Sequence, residues 1–365
     1  MTTEKIYSDL PIPPGEYLAE VLEEKGFTQK ELADRMGRPA QAICEIVKGE
    51  KAITPETALQ LERTLGVPSY IWTSLENDYR IIKARQAENA ALEKEIPLLE
   101  DVPYSDLAGR GYIKKTPDKR HQVRECQAFY GVASLANLDR VNNYGAAFRH
   151  SKSRLASPLA LAAWIRCAEV EAAKRETPPF QKARLKVRLE EIRRLTLVPP
   201  EDSIERLRAS LLESGVNFVL LPHFAKTYAH GAVLWPDPKH PVLVLSIRGK
   251  WADLFWFSLF HELGHILLHG NKEIIDAESG EADEKELEAN RFASEKLVPA
   301  IPYERFLARE KFDTAAISSF AAEIGIHPGI LIGRLQHDRE LPFKTLLNEM
   351  RPRLDWEKLL PRKRY

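Results

Sequence analysis

The run His261-Glu262-Leu263-Gly264-His265 sets two imidazoles four residues apart with an acid between them. On a helix that spacing places both rings on one face, about 6 Å apart along the axis, so their nitrogens can converge on one Zn2+. Glu262 is then placed to serve as general base toward a water activated by the ion. The surrounding stretch, 254–269, is apolar on nearly every side and reads as a buried helix. Such a helix has no structural use for His-Glu-His, because burying those groups unpaired costs several kcal/mol.

A tetrahedral catalytic site takes three protein ligands and leaves a fourth position for water. His269 lies about 12 Å beyond His261 along an intact α-helix, too far to share its ion. Glu286 is the better third ligand: it begins a helix on which Glu286, Asn290, Ala293 and Leu297 share a face, and from there Asn290 can orient a ligand histidine. Glu288, about 160° around the same helix, is the alternative. Tyr228 and His230, just ahead of Gly231, are further candidates for a hydrogen bond to a transition state.

The elements that must position these groups are readable in outline. Strands are expected at 216–221, 231–235 and 242–246, between Pro and Gly clusters, so a small sheet precedes the histidine helix. Asp253 is the expected N-cap of that helix and Gly270 its stop. Helices are expected at 158–175 and 180–195, the latter strongly basic, and a helix, a Gly325 turn and another helix at 315–336.

The first segment has a different texture. Helices are expected at 16–25, 29–36, 39–48 and 56–65, closed by Gly26, Gly37, Gly49 and Gly66, with Thr28 and Glu31 in capping-box spacing. Helix, tight turn and helix over 29–48 has the geometry of a helix-turn-helix. Residues 70–95 read as a helical connector.

Charge follows these divisions. The chain of 365 residues has 53 basic and 53 acidic side chains, yet residues 1–79 carry 8 against 14, residues 80–200 carry 23 against 14, and the remainder 22 against 25. Neutrality therefore conceals an acidic start and a basic middle. Cys44, Cys126 and Cys167 are odd in number and far apart, so they read as small hydrophobes in a reducing compartment rather than a disulfide framework. No stretch is long and apolar enough to span a bilayer, and the start lacks a signal-peptide pattern, so a cytoplasmic protein with no membrane partner is expected.

Two resemblances join these readings. Phe257-Ser-Leu-Phe-His-Glu-Leu-Gly-His-Ile-Leu-Leu-His269, Glu286-Leu-Glu-Ala-Asn-Arg-Phe-Ala293 with Leu297 and Pro299, and Gly333-Arg-Leu-Gln336 resemble the ImmA/IrrE family of zinc metallopeptidases. That implies a gluzincin-like endopeptidase fold, a Zn2+ cofactor and, in many members, cleavage of a DNA-binding repressor. Pro14-Gly-Glu, Thr28-Gln-Lys-Glu-Leu-Ala33, Ala52-Ile-Thr-Pro-Glu-Thr-Ala58 and the stretch from Ile71-Trp72 to Asn77-Asp-Tyr79 are similar to the XRE-type domain of HigA-like antitoxins. The resemblance implies that Gln29 contacts phosphate, that Arg38, Ala40, Gln41, Ala42 and Glu45 face bases, and that Lys48 lies near the DNA backbone. Pro39, Ala40 and Ala42 stand where polar groups are usual, which removes hydrogen-bonding capacity from that surface.

The expected fold is multidomain and mainly α: an all-α helix-turn-helix bundle over 1–79, a helical connector over 80–155, and an α+β gluzincin-like metallopeptidase domain with a small sheet over 156–365. The expected function is a transcriptional regulator, dimeric on operator DNA, with a zinc endopeptidase that cleaves a partner repressor or regulatory protein in a stress, phage or toxin-antitoxin circuit. The alternative is a non-catalytic HigA-like antitoxin or repressor whose zinc is structural or sensing.

Overall fold

Short-range signals set most helix ends. In the computed structural model, which describes residues 10–141, 157–227, 229–270 and 279–359, α1 spans Pro14–Lys25, α2 Gln29–Met36, α3 Ala40–Val47, α4 Pro55–Leu65 and α5 Ser69–Glu95. The Thr28 hydroxyl accepts from the Glu31 amide at 3.1 Å and the Thr54 hydroxyl from the Thr57 amide at 3.3 Å, so α2 and α4 begin at capped residues. Pro39, with φ −60°, starts α3 without a side-chain cap.

The chain divides into two units, residues 1–96 and 97–365. In the first, Leu18, Leu32, Ile43, Ile46, Leu61 and Trp72 form a closed apolar core. Gly15 explains one sequence signature, because a Cβ there would collide with the Ile46 and Val47 carbonyls at the end of α3. Helix α5 is continuous through position 79, where a domain boundary was expected, and reaches the division at 96/97. Its buried Glu76 accepts from the Ile53 amide at 3.0 Å and pairs with Arg80 at 2.7 Å, fastening the helix to the loop before α4.

In the second unit, helices α6 (Tyr104–Gly109), α7 (Lys119–Tyr130), Pro158–Ala172, Lys182–Arg194 and Pro200–Glu213 precede a three-stranded sheet. Its strands are β1 (Asn217–Leu220), β2 (Gly231–Leu234) and β3 (Val242–Leu245), in the order β1-β3-β2. Strand β3 pairs parallel with β1, Asn217 opposite Val242, and antiparallel with β2, Gly231 opposite Leu245. The continuous apolar run of β3 is fully buried, as a central strand covered on both faces requires, whereas Gly231 to Val233 on β2 are only half-buried. Under the sheet, Phe255, Trp256, Leu259, Phe260 and Leu263 of the histidine helix enter the main core.

Three local expectations change. The histidine helix starts at Ala252 with Trp251 at its cap position, and Asp253 is buried instead of capping. Its carboxylate takes a two-point contact from Arg351, Nε to Oδ1 at 3.1 Å and Nη2 to Oδ2 at 2.7 Å, the strong bidentate geometry of a guanidinium–carboxylate pair. The next helix, Ser279–Leu297, starts ahead of Glu286 through a polar stretch that has no apolar periodicity to announce it. Finally, the four arginines of the basic helix are paired in place, sharing three glutamates: Arg184 and Arg188 pair with Glu213, Arg188 with Glu191, and Arg193 and Arg194 with Glu190.

Cys126 and Cys167 are buried, whereas Cys44 is half-buried and not part of the core. Among the described residues no single helix is long and apolar enough to cross a membrane.

Candidate metal centre

The histidine helix runs as α from Ala252 to Gly264 and continues as a π-helical turn over His265–His269, closed by the Gly270 amide bonding the His265 carbonyl at 3.1 Å. It crosses the Ser279–Leu297 helix closely at Gly264, where a Cβ would come within 3.2 Å of Ala289 Cα and Phe292. That close approach brings Glu286 to the two histidines. His261 Nε2 and His265 Nε2 lie 3.0 Å apart, and the Glu286 carboxylate oxygens lie 3.2 Å from the first and 3.3 Å from the second. These three residues are the one group among the described residues whose His, Cys or acid donor atoms are close enough to share an ion.

The donor set fits a zinc ion. A tetrahedral ion with bonds of about 2.0–2.1 Å spaces its donors about 3.3 Å apart, which is close to the observed triangle. The outer partners assign the tautomers. Asn290 Oδ1 lies 3.0 Å from His261 Nδ1 and can only accept, so that nitrogen carries the proton and Nε2 keeps its lone pair. His269 Nε2 lies 3.0 Å from the Glu288 carboxylate and donates to it, which leaves His269 Nδ1 to accept from His265 Nδ1 at 3.0 Å. Both Nε2 lone pairs therefore face each other beside a carboxylate, an arrangement that calls for a cation or a proton between them.

Electrostatics agree with that division of roles. With a proton rather than a cation between them, the His261 and His265 rings donate to Glu286 and hold its carboxyl well below the usual range. Burial works against a charge on His261, but its bond to Glu286 and the nearby Glu262 charge raise its pKa on balance. Glu262 is buried beside the triangle, and burial pushes its carboxyl up to about 7 against the pull of both imidazoles. Gly231 covers it: a Cβ there would stand 2.7 Å from Glu262 Oε1.

The structure thus brings together His261, Glu262, His265, Glu286 and Asn290, and gives Glu288 and His269 to each other rather than to the triangle. His230 sits at the start of β2, its carbonyl accepting from the Ser246 amide at 2.8 Å; desolvation and the Arg248 and His223 charges hold its pKa below the usual imidazole value. Tyr228 lies outside the described residues. Gly231 escaped the sequence reading, in which it was only a strand boundary; a glycine heading the strand before the motif was the available signal. Gly333 and Gln336 act at a distance: a Cβ on Gly333 would collide with Asp253, and Gln336 Oε1 accepts from Arg351 at 2.8 Å, so this signature fixes the start of the histidine helix.

In the first unit, Gln29, Ala40, Gln41 and Lys48 are exposed. Ala42 is buried, a correction to its expected outward position: Ile43 and Ile46 draw that side of α3 into the core. Arg38 donates to Gln60 at 2.6 Å, and Glu45 is engaged by Gln41 at 2.9 Å and Lys51 at 3.6 Å.

Fold and site define a chain that joins a helix-turn-helix bundle to a unit with the His-Glu-His and distal glutamate arrangement of zinc peptidases. Comparison with known proteins finds two matching stretches: residues 18–72 match the helix-turn-helix model, and residues 214–335 match the IrrE N-terminal-like domain. The uncharacterized HTH-type transcriptional regulator YddM of Escherichia coli strain K12 is 27% identical over 73 residues, 20% of this chain and 78% of that protein. Two solved structures align to 23% of this chain. One is an addiction module antidote protein of the HigA family from Coxiella burnetii, 34% identical over 94% of its length with a TM-score of 0.22. The other, described as an antidote protein of a plasmid maintenance system from Nostoc punctiforme, is 28% identical over 92% of its length with a TM-score of 0.23.

Proposed function

We propose that this chain is a DNA-binding regulator whose second unit is a zinc-dependent endopeptidase acting on a partner regulatory protein. The observation that carries the peptidase reading is the triangle of His261, His265 and Glu286 donors, 3.0 to 3.3 Å apart, beside a buried glutamate. A bound zinc ion supplies Lewis acidity and lowers the pKa of water. His261, His265 and Glu286 would hold it, with Asn290 keeping the His261 lone pair turned inward. Glu262, with a pKa raised to about 7, is poised to take a proton from the attacking water and deliver it to the leaving amide nitrogen. The half-buried β2 lies on the sheet edge next to Glu262, and an extended substrate segment can add there through backbone hydrogen bonds.

A purely structural zinc is the competing reading. Structural sites close with four protein ligands, whereas the group among the described residues has three and a glutamate beside them. Glu262→Gln is expected to keep fold and zinc stoichiometry and to abolish cleavage of the partner; a variant that still cleaves overturns the mechanism.

DNA recognition rests on the helix-turn-helix match and on the exposed Gln29 at the start of α2, Gln41 on α3 and Lys48 at its end, with Arg38 and Glu45 tied by neighbours until DNA competes for them. A homodimer on two half-sites follows from the same reading. Lys48→Ala is expected to weaken binding to all sequences alike and reduce the salt slope by about 1, measured by titration at several ionic strengths. A loss confined to one sequence would instead make Lys48 a base reader.

A further inference from the structure

We infer that His269 and Glu288 are positioning residues for His265, forming a carboxylate–imidazole–imidazole chain that holds its ring with the Nε2 lone pair toward the ion. The inference rests on the proposal that His261, His265 and Glu286 bind zinc, and it adds two residues outside that triangle.

The geometry begins with the turn itself. In an α-helix each fourth residue advances about 40° around the axis, so His265 leads His261 and a further α-turn would carry His269 past both. The wider π-turn rotates less per residue and takes that advance back, and the rings of His265 and His269 stand 5.1 Å apart with their Nδ1 atoms at 3.0 Å. Gly270, at φ +64°, lets the chain leave immediately after this turn in a conformation that side chains rarely adopt.

Each histidine of the triangle then has an outer partner of a different kind. His261 leans on the Asn290 amide oxygen at 3.0 Å, whereas His265 leans on an imidazole that is itself anchored 3.0 Å from Glu288. The His269 side chain is only 7% exposed, while Glu288 is 51% exposed and makes its contact from the surface of the neighbouring helix. Two residues apart on one helix, Glu286 and Glu288 thus serve the two ends of the same imidazole row. An outer hydrogen bond of this kind sets the tautomer and orientation of a ligand ring, and its loss typically weakens metal affinity by about 10–100-fold.

The test uses the full chain and Zn2+ competed against a chromophoric chelator. His269→Leu is expected to bind zinc about 10–100-fold more weakly than the wild type. His269→Gln, whose carbonyl oxygen can accept from His265 Nδ1, should recover most of that loss. Glu288→Gln, at an exposed position that does not threaten folding, should weaken binding less, and it should cost nothing further in the His269→Leu background because it acts through His269. With Co2+ in place of zinc, the visible absorption bands should shift in His269→Leu and return toward the wild type in His269→Gln, a signature that a packing role would not produce. Unchanged zinc affinity in His269→Leu, or a Glu288→Gln loss that persists in full without His269, overturns the inference. His265→Ala separates the two levels: if it loses zinc while His269→Leu does not, the relay fails and the metal centre stands; if it keeps wild-type affinity, the metal centre fails.

Discussion

Glu262 works in a space that Gly231 leaves open. Its carboxyl is buried, and a methyl group at position 231 would press both on Oε1 and on Leu245 Cδ2, each at 2.7 Å. Gly231→Ala is therefore expected to destabilise the fold by about 1–3 kcal/mol, the usual range for overpacking, and to displace Glu262. Zinc stoichiometry should persist because the atoms nearest a Cβ at 231 belong to Glu262 and Leu245 rather than to the three donors, while cleavage should fall as strongly as in Glu262→Gln. Urea unfolding, zinc content and peptide cleavage measured together check it; an active variant would mean that Glu262 tolerates displacement. At this scale the sequence was informative where the spacing lay within one helix. His261, Glu262 and His265 announced themselves by the i, i+4 rule, and Glu286 with Asn290 by sharing a face. His269 was excluded from the ion on the assumption of an intact α-helix, and the π-turn gave it a partner in His265 that no local propensity foretold.

The histidine helix is positioned from far along the chain. Its first turn is held by Asp253 and Arg351, both nearly buried, with Gln336 and Asn348 completing the guanidinium's bonds and Trp251 beneath it at 4.4 Å. Removing one member leaves the other buried without its counter-charge, at a cost of about 3–5 kcal/mol. Arg351→Met should show that loss in denaturant unfolding, whereas Arg351→Met combined with Asp253→Leu should recover a large part of it. A single-variant loss under about 1 kcal/mol would mean that water reaches the pair and screens it. The same contrast explains which helix ends were legible. Thr28 and Thr54 cap amides three residues away, so their role is written in adjacent residues. Asp253 has a cap-like position and a partner 98 residues distant, and tertiary pairing overrides the local signal.

Across the whole chain, the balance of 53 basic and 53 acidic residues is built from segments, and the structure redistributes their meaning. The basic helix Lys182–Arg194 engages all four of its arginines with Glu190, Glu191 and Glu213, so part of the basic middle is matched locally. The boundary read at 79 marks where apolar periodicity fades in α5, while the helix itself continues to Glu95 and the unit to 96. Each unit has its own core, one built on Leu18, Leu61 and Trp72, the other on Phe218, Leu243, Leu259 and Phe260. The His261–His265–Glu286 donor triangle belongs to the second. A ligand that binds only the native state adds about 2.7 kcal/mol at a free concentration 100 times its Kd. A fragment of residues 97–365 is thus expected to melt several degrees higher with zinc than after chelation. A fragment of residues 1–96 should unfold cooperatively at a midpoint indifferent to zinc. Calorimetry on both decides it: a zinc-dependent midpoint in residues 1–96 would place metal binding outside the His261–His265–Glu286 triangle, and a zinc-independent one in residues 97–365 would deny that triangle its ion.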